Sequence, residues 1–156
     1  MANFAFPALP VLTRKVGIDL GSSRIRIWTD RAGVIADEPT AIAIDTTAQK
    51  AVAVGQEAEA MIGRVPTHIK IEYPIQAGLV VDPDLGAALL KVLLQKVFQS
   101  PFFFRPSFLV SVPSSLSETD RQQLLEMVTS VGAREVSFVD QLLAAAIGAG
   151  VPIADA

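Results

Sequence analysis

Residues 16–23 read VGIDLGSS, and residues 25–28 read IRIW. Two short apolar stretches on either side of a glycine and two serines predict a β-hairpin. Gly21 allows close approach to the backbone because it has no Cβ atom, and the serine N–H groups and hydroxyls can donate to phosphate oxygens. The Asp19 carboxylate repels such an anion, so a hydrated Mg²⁺ is expected to bridge the carboxylate and the phosphate. The stretch indicates a phosphate-binding turn, although a lone sequence of this kind also fits an ordinary β-turn.

The composition of the chain excludes several classes of protein. Its 156 residues suffice for one domain or two small lobes. The formal net charge is −3 and no run of Lys and Arg occurs, so nucleic acid is not expected as a partner. Cysteine is absent and His68 is the only histidine, which excludes disulfides, thiolate metal sites and a histidine-based triad. No apolar stretch has the length of a transmembrane helix, and a cytoplasmic location is expected.

Hydrophobic periodicity predicts strands first and then alternating strands and helices. Alternation and turn signals predict a four-stranded antiparallel meander over 15–19, 25–29, 33–36 and 41–45. Further extended segments are predicted over 51–54, 69–74, 108–112 and 135–139. Helices are predicted over 56–62, 84–98, from a cap at Ser117 to Gly132, and over 141–149. This order is typical of a mixed α/β fold with a partly parallel sheet.

The turn residues and several later segments of this chain resemble known proteins. Residues 19–23 (DLGSS) resemble the first phosphate loop of actin-like ATPases, a class that includes sugar kinases and chaperones. Further segments are similar, in the same order, to the MreB family of bacterial rod-shape actin homologues. They are GVIADEPTAIAI at 33–44, AVGQEA at 53–58, MIGRVP at 61–66, GLVVD at 78–82, FRP at 104–106, SVPSS at 111–115, GAREV at 132–136 and AAAIGAG at 144–150.

The resemblance implies an α/β fold, an actin-like (ribonuclease H-like) lobe. This lobe has a mixed sheet with an antiparallel meander, flanking helices and a small inserted subdomain. The implied division is an apolar N-terminal tail at 1–13, the first lobe at 14–45 and 74–156, and the inserted subdomain at 46–73.

The resemblance also implies ATP and Mg²⁺ as cofactors. Asp19 would orient the water ligands of Mg²⁺ and take part in catalysis, and the phosphate turn would be lined by Gly21, Ser22, Ser23 and Arg24. Arg24 could instead point to solvent. Gln141 stands where the family usually has a glutamate that positions the attacking water, and a neutral amide can orient water without accepting its proton. Two other interpretations stay open, that Gln141 merely caps a helix and that Asp140 compensates as the carboxylate.

A run of three aromatic residues, Phe102, Phe103 and Phe104, lies in a short segment bounded by prolines. Exposed apolar clusters mark interaction sites, and the resemblance implies that this segment docks into the membrane. Burial beneath the neighbouring helix is the alternative. The implied location is therefore cytoplasmic and peripheral at the inner face of the cytoplasmic membrane.

The resemblance covers only the first of two related halves, from about Val16 onward. The implied function is that of the N-terminal half of a cytoskeletal ATPase. Its membrane-associated filaments control cell shape, and its partners are copies of itself or full-length protomers. ATP and Mg²⁺ are expected to bind weakly or not at all to this half alone, because half a cleft leaves the nucleotide in water. The alternatives are a non-catalytic half-actin module that binds filaments or membrane, and the first lobe of another actin-superfamily ATPase.

Overall fold

The computed structural model describes residues 15–98 and 105–152. The predicted tail at 1–13 and the predicted membrane contacts Phe102, Phe103 and Phe104 lie outside these ranges. In chain order, the elements are β1 Lys15–Leu20, β2 Arg24–Thr29, β3 Gly33–Pro39, β4 Ile42–Asp45, β5 Lys50–Val54, α1 Gln56–Glu59, β6 Ile69–Glu72, β7 Ile75–Gln76, β8 Leu79–Val80, α2 Pro83–Phe98, β9 Ser107–Val112, α3 Glu118–Ser130, β10 Glu135–Asp140 and α4 Gln141–Gly148. None of the helices in the described ranges has the length and hydropathy needed to cross a bilayer.

The main sheet has five strands in the order β10-β9-β1-β2-β3. β1 pairs antiparallel with β2, and β2 with β3, whereas β1 and β10 both pair parallel with β9. Parallel neighbours need a long crossover connection, and α3 supplies it between β9 and β10. This arrangement confirms the predicted mixed α/β sheet with an antiparallel meander.

The meander contains three strands rather than the four that periodicity predicts. β4 pairs with β5 and β6 in a separate three-stranded sheet of order β5-β4-β6. β3 ends at Pro39, which has no N–H to donate to a further rung of the ladder. The chain therefore leaves the main sheet there, and the pairing of β4 places the start of the small sheet at Ile42, before the predicted boundary at residue 46.

The core lies between one face of the main sheet and helices α2 and α3. Inward-facing side chains alternate along the strands, and the fully buried ones include Ile25, Ile27, Phe108 and Val110, which pack with Leu89, Leu90, Leu94 and Val128 of the helices. The opposite face of the sheet is far more open, and it carries polar side chains such as Asp19 and Arg26 beside Trp28 at 45% and Leu109 at 48% exposure. The helices therefore cover one face of the sheet in the described part of the chain.

Candidate functional site

The β1–β2 connection consists of Gly21, Ser22 and Ser23. The Gly21 N–H donates to the Arg24 carbonyl oxygen at 3.0 Å and closes the turn. A Cβ atom on Gly21 would lie 2.7 Å from that same oxygen, a contact that side chains do not make. The tightness of this turn therefore requires glycine at position 21.

Two other parts of the chain hold this turn in place. Thr40 donates its hydroxyl to the Gly21 carbonyl oxygen at 2.7 Å and its N–H to the Ser23 carbonyl oxygen at 3.0 Å. The Gly78 N–H donates to the Ser22 Oγ at 3.0 Å. In the described part of the chain, the N–H groups of Ser22 and Ser23 donate to no protein acceptor. Two adjacent N–H donors in a fixed turn can bind an anion such as phosphate.

Asp19 lies at the end of β1, directly before the turn. Its Oδ1 accepts a hydrogen bond of 2.7 Å from the Ser111 hydroxyl of the neighbouring parallel strand, and Arg26 Nη1 lies 3.4 Å from its Oδ2. The Asp19 side chain remains 36% exposed. Mg²⁺ is usually held by one or two carboxylates together with water and substrate phosphate. A partly exposed carboxylate beside the predicted phosphate turn fits this coordination, with the remaining ligands expected from water and the anion.

Arg24 does not extend into the turn. Its Nε donates to Asp37 Oδ1 and its Nη2 to the Asp37 carbonyl oxygen, both at 2.6 Å, so the guanidinium bridges β2 and β3. This hydrogen bond holds the pKa of the Asp37 carboxyl below its usual value. Arg24 is therefore paired with a carboxylate while its side chain stays 40% exposed, and its contact with a phosphate stays a prediction.

At the end of β10, the cap of helix α4 is Asp140 and not Gln141. Asp140 Oδ1 accepts the Leu143 N–H at 2.8 Å, and its Oδ2 accepts a hydrogen bond from the Ser114 hydroxyl. These bonds lower the pKa of Asp140, the Ser114 bond having the larger effect. The interpretation of Gln141 as the cap is therefore wrong, and the carboxylate of Asp140 is already committed to the helix N-terminus. Gln141 is the exposed first residue of α4.

The predicted site residues lie along one edge of the main sheet. In the strand register, Asp19 aligns with Ser111 of β9, and Ser111 aligns with Val139 of β10. Gln141 follows two residues after Val139. Because neighbouring strands are spaced by about 4.8 Å, the ends of β1 and β10 are separated by about 10 Å across the sheet. The predicted phosphate turn, Asp19 and Gln141 therefore flank a common edge, formed by the carboxyl ends of parallel strands.

Three residues of this region were not predicted as site residues from the sequence, namely Thr40, Ser111 and Ser114. Ser111 and Ser114 lie at the end of an apolar strand. A polar residue at such a position indicates a candidate site residue. Thr40 follows Glu38-Pro39 in an otherwise apolar segment, and no periodic pattern there predicts its role at the turn.

A mixed sheet with this strand order, and a tight Gly-Ser-Ser turn after its first strand, define an actin-like lobe. The chain belongs to the MreB/Mbl family, whose sequence profile matches residues 13–156. It is 32% identical over 143 residues to the cell shape-determining protein Mbl of Bacillus cereus, covering 92% of this chain and 43% of that protein. It is 34% identical over 152 residues to the cell shape-determining protein MreB of Haemophilus influenzae, covering 94% of this chain and 43% of that protein.

Solved structures show the same fold. MreB5 of Spiroplasma citri bound to ADP superposes with a TM-score of 0.82 at 25% identity, over 92% of this chain and 43% of that one. The MamK double helical filament superposes with a TM-score of 0.74 at 18% identity, over 89% of this chain and 44% of that one. The chain therefore spans less than half the length of these relatives and is an MreB/Mbl-like, actin-like homologue matching their N-terminal part.

Proposed function

We propose that this chain is the first phosphate-binding lobe of a nucleotide-dependent filament protein that controls cell shape. The observation that carries the proposal is the fixed turn at Gly21–Ser23, whose Ser22 and Ser23 N–H groups donate to no acceptor among the described residues and lie near the partly exposed carboxylate of Asp19. The Spiroplasma citri relative with the same fold has been solved with ADP and with AMPPNP, which supports ATP as the ligand.

In this proposal each residue has a distinct role. Gly21, Ser22 and Ser23 bind the terminal phosphates through backbone and hydroxyl donors, and Asp19 orients water ligands of Mg²⁺. Bound Mg²⁺ would neutralise phosphate charge. Gln141 positions a water molecule for attack from across the sheet edge. Arg24 would reach a phosphate only by leaving Asp37. Catalysis by the described lobe alone is not expected, because it offers one phosphate turn and an open edge.

The first prediction concerns Mg·ATP binding by this chain. In ¹⁵N-resolved NMR spectra, titration with Mg·ATP is expected to shift the amide signals of Ser22 and Ser23 more than those of core residues such as Val110. A one-sided phosphate site should bind weakly, with a Kd on the order of 1 mM. The Asp19→Ala variant should lose the Mg²⁺ dependence of the shifts.

The matched control for that variant is Asp45→Ala, which removes a carboxylate from the β4–β5 turn, away from the proposed site. Unchanged Ser22 and Ser23 signals at saturating Mg·ATP would contradict the proposed phosphate site. Co-sedimentation with filaments of a full-length relative, combined with unchanged amide signals, would favour the alternative of a non-catalytic half-actin module.

We further propose that the protein acts as filaments at the inner face of the cytoplasmic membrane. Self-association is supported by the filament structure of MamK, which has the same fold. Membrane contact rests on the aromatic run Phe102–Phe104, because three adjacent phenylalanines supply apolar area for insertion at the level of the lipid headgroups.

The second prediction tests membrane contact. Wild-type chain is expected to float with anionic liposomes, whereas the triple variant Phe102→Ala, Phe103→Ala, Phe104→Ala should lose most of this binding. The matched control is Leu142→Ala, Leu143→Ala, Ile147→Ala, which removes equally apolar side chains that are 74%, 42% and 56% exposed on α4. Flotation of the phenylalanine variant equal to wild type, or an equal loss in both variants, would refute a specific membrane role.

A further inference from the structure

Thr40 is buried, with no exposed surface, although it is polar. It lies between the end of β3 and the start of β4, where the chain passes from the main sheet to the small sheet. In the described ranges, the other fully or nearly buried polar residue is Thr29, whose Oγ1 accepts a bond from Ala32 within its own hairpin. Thr40 differs because its hydroxyl and its N–H both donate to a turn that is about twenty residues earlier in the sequence.

The two bonds of Thr40 hold both ends of the phosphate turn. The hydroxyl bond to the Gly21 carbonyl is 2.7 Å long, and the N–H bond to the Ser23 carbonyl is 3.0 Å long. A peptide unit is planar and trans, so its carbonyl and the following N–H point in opposite directions. When the Gly21 carbonyl is held on Thr40, the Ser22 N–H must therefore point to the opposite side of the turn, away from the buried threonine.

We propose that Thr40 is a positioning residue, which orients the Ser22 N–H towards the bound phosphate without contacting the phosphate itself. The proposal rests on the proposed function of the turn. The Thr40 hydroxyl fixes the rotation of the Gly21–Ser22 peptide, and the fixed rotation keeps the donor aligned before the anion arrives. A donor that is already aligned needs no reorganisation on binding.

The decisive variant is Thr40→Val, which keeps the shape of the side chain and the backbone N–H but removes the hydroxyl. Hydrogen exchange of the Gly21 amide, which closes the turn onto Arg24, is expected to become about tenfold faster, in line with the loss of one buried hydrogen bond. Core amides such as Ile27 and Val110, which exchange through global unfolding, should accelerate by no more than that factor. The apparent Kd for Mg·ATP should rise about tenfold for the same reason.

Two controls separate positioning from a general loss of stability. Thr40→Ser keeps the hydroxyl and should exchange and bind as the wild type does. Thr46→Val removes a comparable bond, from the Thr46 hydroxyl to the His68 carbonyl at 2.9 Å, away from the turn, and should change neither measurement at the turn.

The proposal is overturned if the Gly21 amide of Thr40→Val exchanges at the wild-type rate, or if Thr46→Val accelerates that amide equally. It is also overturned if Thr40→Ser loosens the turn, a result that is informative even when the valine variant does not fold. Absence of any Mg·ATP response in the wild type would instead refute the proposed phosphate site. The exchange measurement, which needs no ligand, would still decide the role of Thr40.

Discussion

Replacing Phe108 with alanine is expected to lower the free energy of unfolding by about 3–5 kcal/mol. Phe108 is 2% exposed on β9 and belongs to the core between the main sheet and the helices. Its truncation removes apolar contacts and leaves a cavity that rigid strands on both sides cannot close. Because a whole domain is stable by only about 5–15 kcal/mol, this single change should remove a large share of the total. Equilibrium unfolding in urea measures it.

The neighbouring residue supplies the matched control. Leu109 lies on the same strand but faces the other side of the sheet, where it is 48% exposed. Leu109→Ala should therefore cost less than about 1 kcal/mol, since it removes a side chain that is half in water already. Equal losses for the two variants would mean that the open face is covered in solution, for example by association between copies of the chain. Repeating the measurement at several protein concentrations would identify that association.

Much of the fold could be predicted because it is encoded locally. The inward alternation along β9 and the helical spacing in α2 each occur within one segment, and both elements lie where they were predicted. The cap of α3 was also predictable, and the Ser117 Oγ accepts the Asp120 N–H at 3.2 Å. The mixed sheet followed from the order of these elements together with the resemblance.

What escaped prediction depends on pairing between distant segments. The alternation of β4 does not specify whether it pairs with β3 or with β5, and the missing N–H of Pro39 has its effect only at a strand edge. The two-stranded hairpin of β7 and β8 is too short to leave a periodic pattern. At the site, the type and position of Asp19 were visible in sequence, whereas its bond to Ser111 joins residues 92 positions apart. Such contacts become visible only when the register of the strands is known.

The turn itself should be the most sensitive position for function. Gly21→Ala is expected to open the turn, because the added Cβ would lie 2.7 Å from the Arg24 carbonyl oxygen and both atoms belong to the same tight backbone loop. Opening breaks the Gly21–Arg24 hydrogen bond and weakens the bond that Thr40 donates. We expect a loss of more than about 1 kcal/mol in the free energy of unfolding. The response of the Ser22 and Ser23 amides to Mg·ATP should also disappear.

Gly148→Ala is the control for the general effect of adding a methyl group to a glycine. Gly148 is the last residue of α4, and a Cβ built there meets nothing within 4 Å, so the variant should be neutral or more stable by up to about 1 kcal/mol. Thermal unfolding and the NMR titration on both variants separate the two effects. A Gly21→Ala chain with wild-type stability and wild-type Ser22 and Ser23 shifts would show that the turn tolerates a side chain. Close approach of a phosphate to the backbone would then not be the reason for glycine at this position. Phosphate binding through the turn would lose its structural basis.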